Sequence, residues 1–483
     1  MKAAYILGTA AMLMLSACDN SSSGPISMSV IGSSLKMNDP NMGPVPASAE
    51  LLLSATAQGL VSFDATDQIQ PSLAERWIVT DDGLSYIFRI REATWSDNSP
   101  VTSVDVVRSL KRSVAGGGRN ALRRLFSNVT DIIPMTGQVV EIRLRSPEPN
   151  FLQLLAQPEL AILRSGGGTG PYLIHSRREG VLRLRPKPDP DAEEEATQEA
   201  ADIRDIRVRA ERSALAIARF QSGGNVYLAG GTFADLPLIS AARPETARFK
   251  VDPAYGLFGL IISDQSTRLA DPDIRLALSL AVDRDSLIDR FRVPTWQTAV
   301  SILPAALDSA SAPAALSALQ VPLGERRERA RALIRNSGGV PIRVRVALPD
   351  GPGSRLLFAS LAADWKRIGV LSERALPDQP ADLILIDEVA PVSSAVWYLD
   401  RLSCGTGIRC SEDGKRALAT ILGAQNLAQK RASIADADAA LVAANTYIPL
   451  ALPMRWSLVG TGMTGWRPSS FSSHAIQNLR AAP

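Results

Sequence analysis

An α/β protein of at least two lobes is what this sequence predicts, on three observations. The chain has 483 residues, 46% hydrophobic and 21% charged, which is ample for more than one core. Stretches that alternate apolar and polar residues are interleaved with stretches of helical spacing. Beyond the first residues, no run is long and apolar enough to cross a bilayer as a helix. The charge balance adds an exclusion: 52 Lys and Arg against 49 Asp and Glu leave only +3, and aromatic residues are 5% of the chain. Neither an electrostatic footprint for nucleic acid nor a stacking platform for bases is present.

The N-terminus carries its own signal. After Lys2, the apolar run from Ala3 to Leu15 is too short for a permanent membrane span but has the layout of a secretory leader. Leu15-Ser16-Ala17-Cys18 resembles the lipobox of bacterial lipoproteins, in which the cysteine is acylated and becomes the new N-terminus. A thiol suits that chemistry because its thiolate is a strong nucleophile. The plainer alternative is an ordinary leader cut near Ala17. Residues 18–27 then read as a polar tether, and Asp19 after the lipidated cysteine implies retention at the inner membrane of a Gram-negative bacterium, facing the periplasm.

Elements follow in order. "ISMSVIGSSLK" from Ile26 alternates as a first strand, and "ELLLSATAQGLVSFD" (50–64) is a helix-like apolar stretch closed by Gly59. Asp82-Gly83 separates Trp77-Ile78-Val79 from the alternating Tyr86, Phe88 and Ile90, which predicts a β-hairpin. Thr102 precedes Asp105 by three residues, a capping box opening a helix whose apolar face is Val106, Val107 and Leu110. "RSGGGTGPYLI" (164–174) is a turn entering a strand rather than a phosphate loop, since no Lys-Ser or Lys-Thr follows. The acidic 187–202 stretch reads as a solvated loop, and 303–325 as a connector. Asp271 caps a helix with Pro272 in its first turn and Ile274, Leu278 and Ala281 on one face.

No catalytic constellation emerges. The two histidines, His175 and His474, adjoin no nucleophile motif, and acidic runs such as Asp81-Asp82 have the ordinary character of solvated faces. With Cys18 set aside, Cys404 and Cys410 remain; in an oxidising compartment they should close a small disulfide loop worth about 2 kcal/mol on the loop-entropy model. A metal site is the alternative, but partner ligands of suitable spacing are lacking.

The passage 59–109 also resembles a known family. Gly59, Leu60, Asp64, Pro71, Ser72, Leu73, Ala74, Glu75, Trp77, Asp82, Gly83, Tyr86, Phe88, Arg91, Trp95, Asp97, Pro100, Val101, Thr102, Asp105, Val106, Val107 and Ser109 stand in the order of the signature of the extracellular solute-binding proteins of family 5, receptors of ABC importers for peptides, nickel and opines. Asn98 replaces the usual Gly, and both tolerate a left-handed turn. "GTGPYLI" (168–174), "DPDIRLALSLAVDRDSLIDRF" (271–291) and 445–469 extend the likeness over nearly the whole mature chain.

The resemblance implies a periplasmic-binding-protein fold of type II, two α/β lobes with an extra subdomain inserted in the first. It places the first lobe at 28–50, 166–258 and 448–483, the inserted subdomain at 51–165 and the second lobe at 259–447, with crossings near Tyr255–Ser263 and Tyr447–Pro453. It implies a polar solute, peptide-like or other, bound between the lobes by a monomer that needs no cofactor or metal and hands the solute to a permease and ATPase. In peptide-binding members a second-lobe Asp meets the peptide's α-amino group; here Pro391 stands there, within "EVAPVSSAVWYL" (388–399), and Asp387 or Glu388 could substitute. Trp397 and Tyr398 are further candidates, either lining the cleft or packing as core aromatics under the loop; Trp296 and Arg455 lie near the family's cleft regions, Arg455 either pairing with an acidic ligand group or capping a strand end on the surface. The missing Asp also admits a relative that has lost transport and acts as an envelope sensing module. A hydrolytic envelope enzyme is disfavoured for want of a nucleophile motif.

Overall fold

The computed structural model describes residues 25–164, 167–187, 205–246, 248–305, 307, 312–338, 342–405, 407–424, 426–461 and 463–481. The leader, Cys18, most of the tether and nearly all of the acidic 187–202 stretch lie outside them. The first lobe is built on a seven-stranded sheet, in the order Phe249–Asp252, Arg455–Val459, Tyr227–Thr232, Ile26–Ile31, Ile206–Glu211, Val181–Pro186 and Tyr172–Arg178. Its central strand, Ile26–Ile31, pairs in parallel on both sides, so Met28, Ser29 and Val30 are all buried and the alternation in the sequence is lost. The second lobe has five strands, in the order Val370–Ala375, Ile342–Ala347, Leu383–Val389, Gly256–Ile262 and Tyr447–Ala451.

Two adjacent connections join the lobes, residues 253–255 leading out of the first sheet and 452–454 leading back. Both contain a proline, Pro253 and Pro453. The boundaries expected at 258/259 and 447/448 therefore fall inside strands of the second sheet. The boundary at 50/51 is also displaced, because Ala47–Thr56 is one helix that packs its Leu51, Leu52 and Ala55 with Met28, Val30 and Tyr172 of the first lobe. That helix stops at Thr56, and Val61–Phe63 is a strand, so the stretch 50–64 is not continuously helical. The stop is tight: a Cβ on Gly170 would sit 2.4 Å from the Ala57 nitrogen.

The inserted subdomain carries a four-stranded antiparallel sheet, in the order Ala74–Val79, Ser85–Ile90, Val139–Leu144 and Val129–Thr136. The first two strands form the hairpin around Asp82-Gly83. Thr102 and Asp105 exchange the capping-box hydrogen bonds that start helix Ser103–Val114, and Asn98 adopts φ of 63°. The subdomain and the second lobe share one apolar core, in which Phe151, Leu154 and Leu160 join Ala395, Tyr398 and Leu402. Polar contacts stitch the same seam: Asn150 donates to the Ser393 carbonyl (2.8 Å), the Ser393 amide to Gln153 Oε1 (3.0 Å), and Lys430 pairs with Glu148 (2.8 Å). Cys404 and Cys410 are joined by a disulfide in the second lobe, which leaves neither free to bind metal.

Candidate functional site

Lobe and subdomain surfaces converge on a cavity of about 570 Å³. The first lobe contributes Glu50 and Ser54 of its helix, Gly230 and Gly231 of a strand, and Arg455; the subdomain contributes Leu122 and Glu159; the second lobe contributes Glu388, Pro391, Trp397 and Arg401. Two glycines shape its floor. Gly230 takes φ of +81°, where the strand shifts register against Arg455–Val459, and a Cβ on Gly231 would lie 2.1 Å from the Trp456 ring. Trp456 is buried and donates through Nε1 to the Thr232 carbonyl at 2.9 Å.

Charged groups here are arranged in pairs, one across the lobes and one within the second. Arg455 of the first lobe donates to Asp387 Oδ1 (2.7 Å) and to the Asp387 carbonyl (2.9 Å) of the second. Within the second lobe, Arg401 holds Glu388 in a two-pronged contact at 2.6 and 2.7 Å. Burial pushes the Asp387 carboxyl above its usual range, with Arg455 pulling the other way. At the edge of the cavity, His474 contacts the buried Asp252 at 2.9 Å and Phe471 stacks on Phe63 with centroids 4.7 Å apart. These contacts tie the C-terminal segment to the first lobe's edge strand and to the subdomain.

The sequence-derived candidates separate into two groups. Trp397, Glu388 and Arg455 line the cavity, and Asp387 lies behind it as the partner of Arg455. Tyr398 is fully buried on the opposite side of its helix from solvent, and burial raises its phenol well above the normal range. It packs the core under the cleft rather than the ligand. Trp296 is also a core residue: it is 5% exposed, packs against Phe258 and Phe291, and donates to the Leu452 carbonyl at 2.7 Å. It borders a second hollow of about 1000 Å³, on the far edge of the two connections. That hollow is the larger, but it opens beside the edge strand Phe249–Asp252, and its lining includes none of Arg455, Asp387, Glu388 and Arg401.

Two cavity residues escaped the sequence reading. Glu50 is the lone acid in the apolar helix ASAELLLSAT, and Glu159 sits between Pro158 and Leu160 in another apolar passage. An isolated carboxyl in such surroundings is the one signal that could have found them. Burial, reinforced by repulsion from Glu159 and opposed by Arg455, pushes Glu50 up to about 8. Burial raises Glu159 as well.

Comparison with known proteins places this architecture. Residues 68–373 match the model described as bacterial extracellular solute-binding proteins, family 5 Middle. The chain belongs to this family. Its family is one of binding proteins, not enzymes. Among relatives, the probable deoxycholate-binding periplasmic protein YgiS of Escherichia coli K12 is 24% identical over 373 residues, covering 68% of this chain and 66% of that protein. The probable di/tripeptide-binding protein 5 of Pseudomonas aeruginosa UCBPP-PA14 is 25% identical, covering 53% and 54%. The chain thus spans just under two thirds of the first relative's length and about half of the second's. Haemophilus influenzae OppA in complex with RPPGFSPFR superposes with a TM-score of 0.82 at 15% identity, over 95% of this chain and 99% of that one. The Escherichia coli murein tripeptide binding protein MppA gives 0.81 at 16% identity over 95% and 98%, whereas MppA in its unliganded open form gives 0.66. The shared fold is the two-lobed one of periplasmic peptide-binding proteins.

Proposed function

We propose that the protein captures a peptide-like or other polar solute in the interlobe cavity and presents it to the permease and ATPase of an ABC importer. The observation that carries this reading is the 570 Å³ cavity itself, walled by the first lobe, the subdomain and the second lobe together. A solute touching all three walls favours the closed arrangement by its differential affinity for it, and that closed form is the signal a permease can read. The higher score against OppA with a bound ligand than against open MppA supports a closed arrangement of the lobes here. With Pro391 offering no carboxylate, a free peptide's α-amino group has no partner at that point of the wall.

Screening peptides, opines, oligosaccharides and metal chelates by thermal shift tests the reading. A cognate solute at a hundred times its Kd should stabilise the protein by about 2.7 kcal/mol, with a matching contraction in solution scattering. A protein that melts identically with every class would speak instead for an envelope sensing module. The anchoring is part of the same proposal: acylation at Cys18 holds the receptor at the periplasmic face of the inner membrane. Labelled palmitate should mark the wild type and not Cys18→Ala; equal labelling of both would refute the anchor.

A further inference from the structure

The two arginines that line the cavity are already engaged, Arg455 by Asp387 and Arg401 by Glu388. His474, at its edge, contacts Asp252. Glu50 and Glu159 are different. Among the described residues neither has an ion-pair partner, and both face the cavity, one from the first turn of a first-lobe helix and the other from the subdomain. They come from different segments of the fold, and they are near enough to repel each other. Tyr227, buried beside them, offers a hydroxyl that bonds Ser457 and carries no charge.

From this imbalance of charge we infer that the solute carries an ammonium or guanidinium group, seated in the cleft between Glu50 and Glu159. The inference rests on the cleft being the binding site, and it names the chemistry of what binds there. An unpaired carboxylate facing a closed cavity is costly, and the empty protein relieves that cost by holding a proton on the pair. A cationic group replaces the proton and supplies the missing counter-charge from the ligand side. The family's usual anchoring point for a positive group, in the second lobe, is occupied here by Pro391. The positive group is instead met by the opposite wall. A competing use of a protonated Glu50, donation to a neutral acceptor, predicts the opposite pH dependence.

The sign follows from linkage. Binding a cation releases a proton from Glu50, whose empty-state value is about 8. Affinity therefore climbs as pH rises from 6 to 8, by up to about tenfold per pH unit, and flattens above 9. Donation to a neutral solute would make affinity fall over the same window.

Calorimetry on the detergent-solubilised full chain, at pH 6 to 9, tests this with agmatine, spermidine and the dipeptides Lys-Ala and Arg-Ala beside uncharged counterparts, in which every amine is acylated and every guanidinium is replaced by a urea. At least one cationic probe should bind, with the rising profile, and its uncharged counterpart should bind at least about tenfold more weakly. Glu50→Gln should flatten the profile, and Glu50→Gln with Glu159→Gln should weaken binding at least about tenfold at pH 8. The melting curves of these variants at pH 6 serve as the control for folding. Failure of every cationic probe, equal binding of the uncharged counterparts, or affinity that falls with pH overturns the inference. A neutral solute that contracts the protein would do so while leaving the cleft reading intact. A cation whose binding survives both the double carboxamide variant and Trp397→Ala would sink the two together.

Discussion

Phe233→Ala is expected to lower the unfolding free energy by about 3–5 kcal/mol, the cost of emptying a buried aromatic site. Phe233 follows the first-lobe strand Tyr227–Thr232 and is 1% exposed, yet its ring packs into the second lobe. It meets Phe258 edge-on at 4.9 Å and Phe291 at 6.4 Å, and both of these contact Trp296. The surroundings cannot easily collapse into the gap. Gly353 of helix Pro352–Lys366 already lies so close that a Cβ there would sit 2.1 Å from the Phe233 carbonyl oxygen. Guanidinium unfolding gives the measurement, with Phe233→Leu as a milder partner. A loss below about 1 kcal/mol for the alanine variant would mean that the aromatic cluster does not couple the lobes.

The second large effect is expected at Arg455→Met, which should cost about 2–4 kcal/mol near pH 8. The side chains of Arg455 and Asp387 are 18% and 16% exposed, so the penalty falls below that of a fully buried pair. Most of it comes from Asp387, whose carboxyl is already raised by burial and would lose the one cation opposing that shift. A carboxyl whose folded value lies above its unfolded value destabilises the fold above the unfolded value, and ceases to do so as pH falls below it. The variant's deficit should therefore shrink toward pH 4. Arg455→Met combined with Asp387→Asn should recover part of the loss at pH 8. Thermal melts of the three proteins at pH 4 and pH 8 provide the check, and a deficit independent of pH would contradict the assignment to Asp387. Because the bond joins the lobes, solute affinity should fall along with stability.

Features that depend on a few neighbouring residues were legible before any fold was known. The capping box of Thr102 and Asp105, the Asp271 cap of helix Pro272–Ala281, the turn at Asp82-Gly83 and the left-handed Asn98 all depend on contacts within a few residues. The cleft was legible only in part. An aromatic beside a loop can face a ligand or a core with the same local sequence, and in the adjacent pair Trp397 and Tyr398 one ring reaches the cavity while the other is sealed under it. Helical geometry turns successive side chains by about 100°, so which of the two faces the cleft depends on how the helix docks.

Composition, local turns and a long ordered signature determined by themselves that this chain is an α/β member of the family 5 solute-binding proteins. The tertiary structure alone decided which charges meet. Arg455 and Asp387 are 68 residues apart in sequence, and Glu50 and Glu159 belong to different bodies of the fold. Whether a charged side chain is neutralised or left open to a ligand depends on distances of a few ångströms between such remote segments, because Coulombic and hydrogen-bond energies fall off with separation in space and carry no trace of separation along the chain.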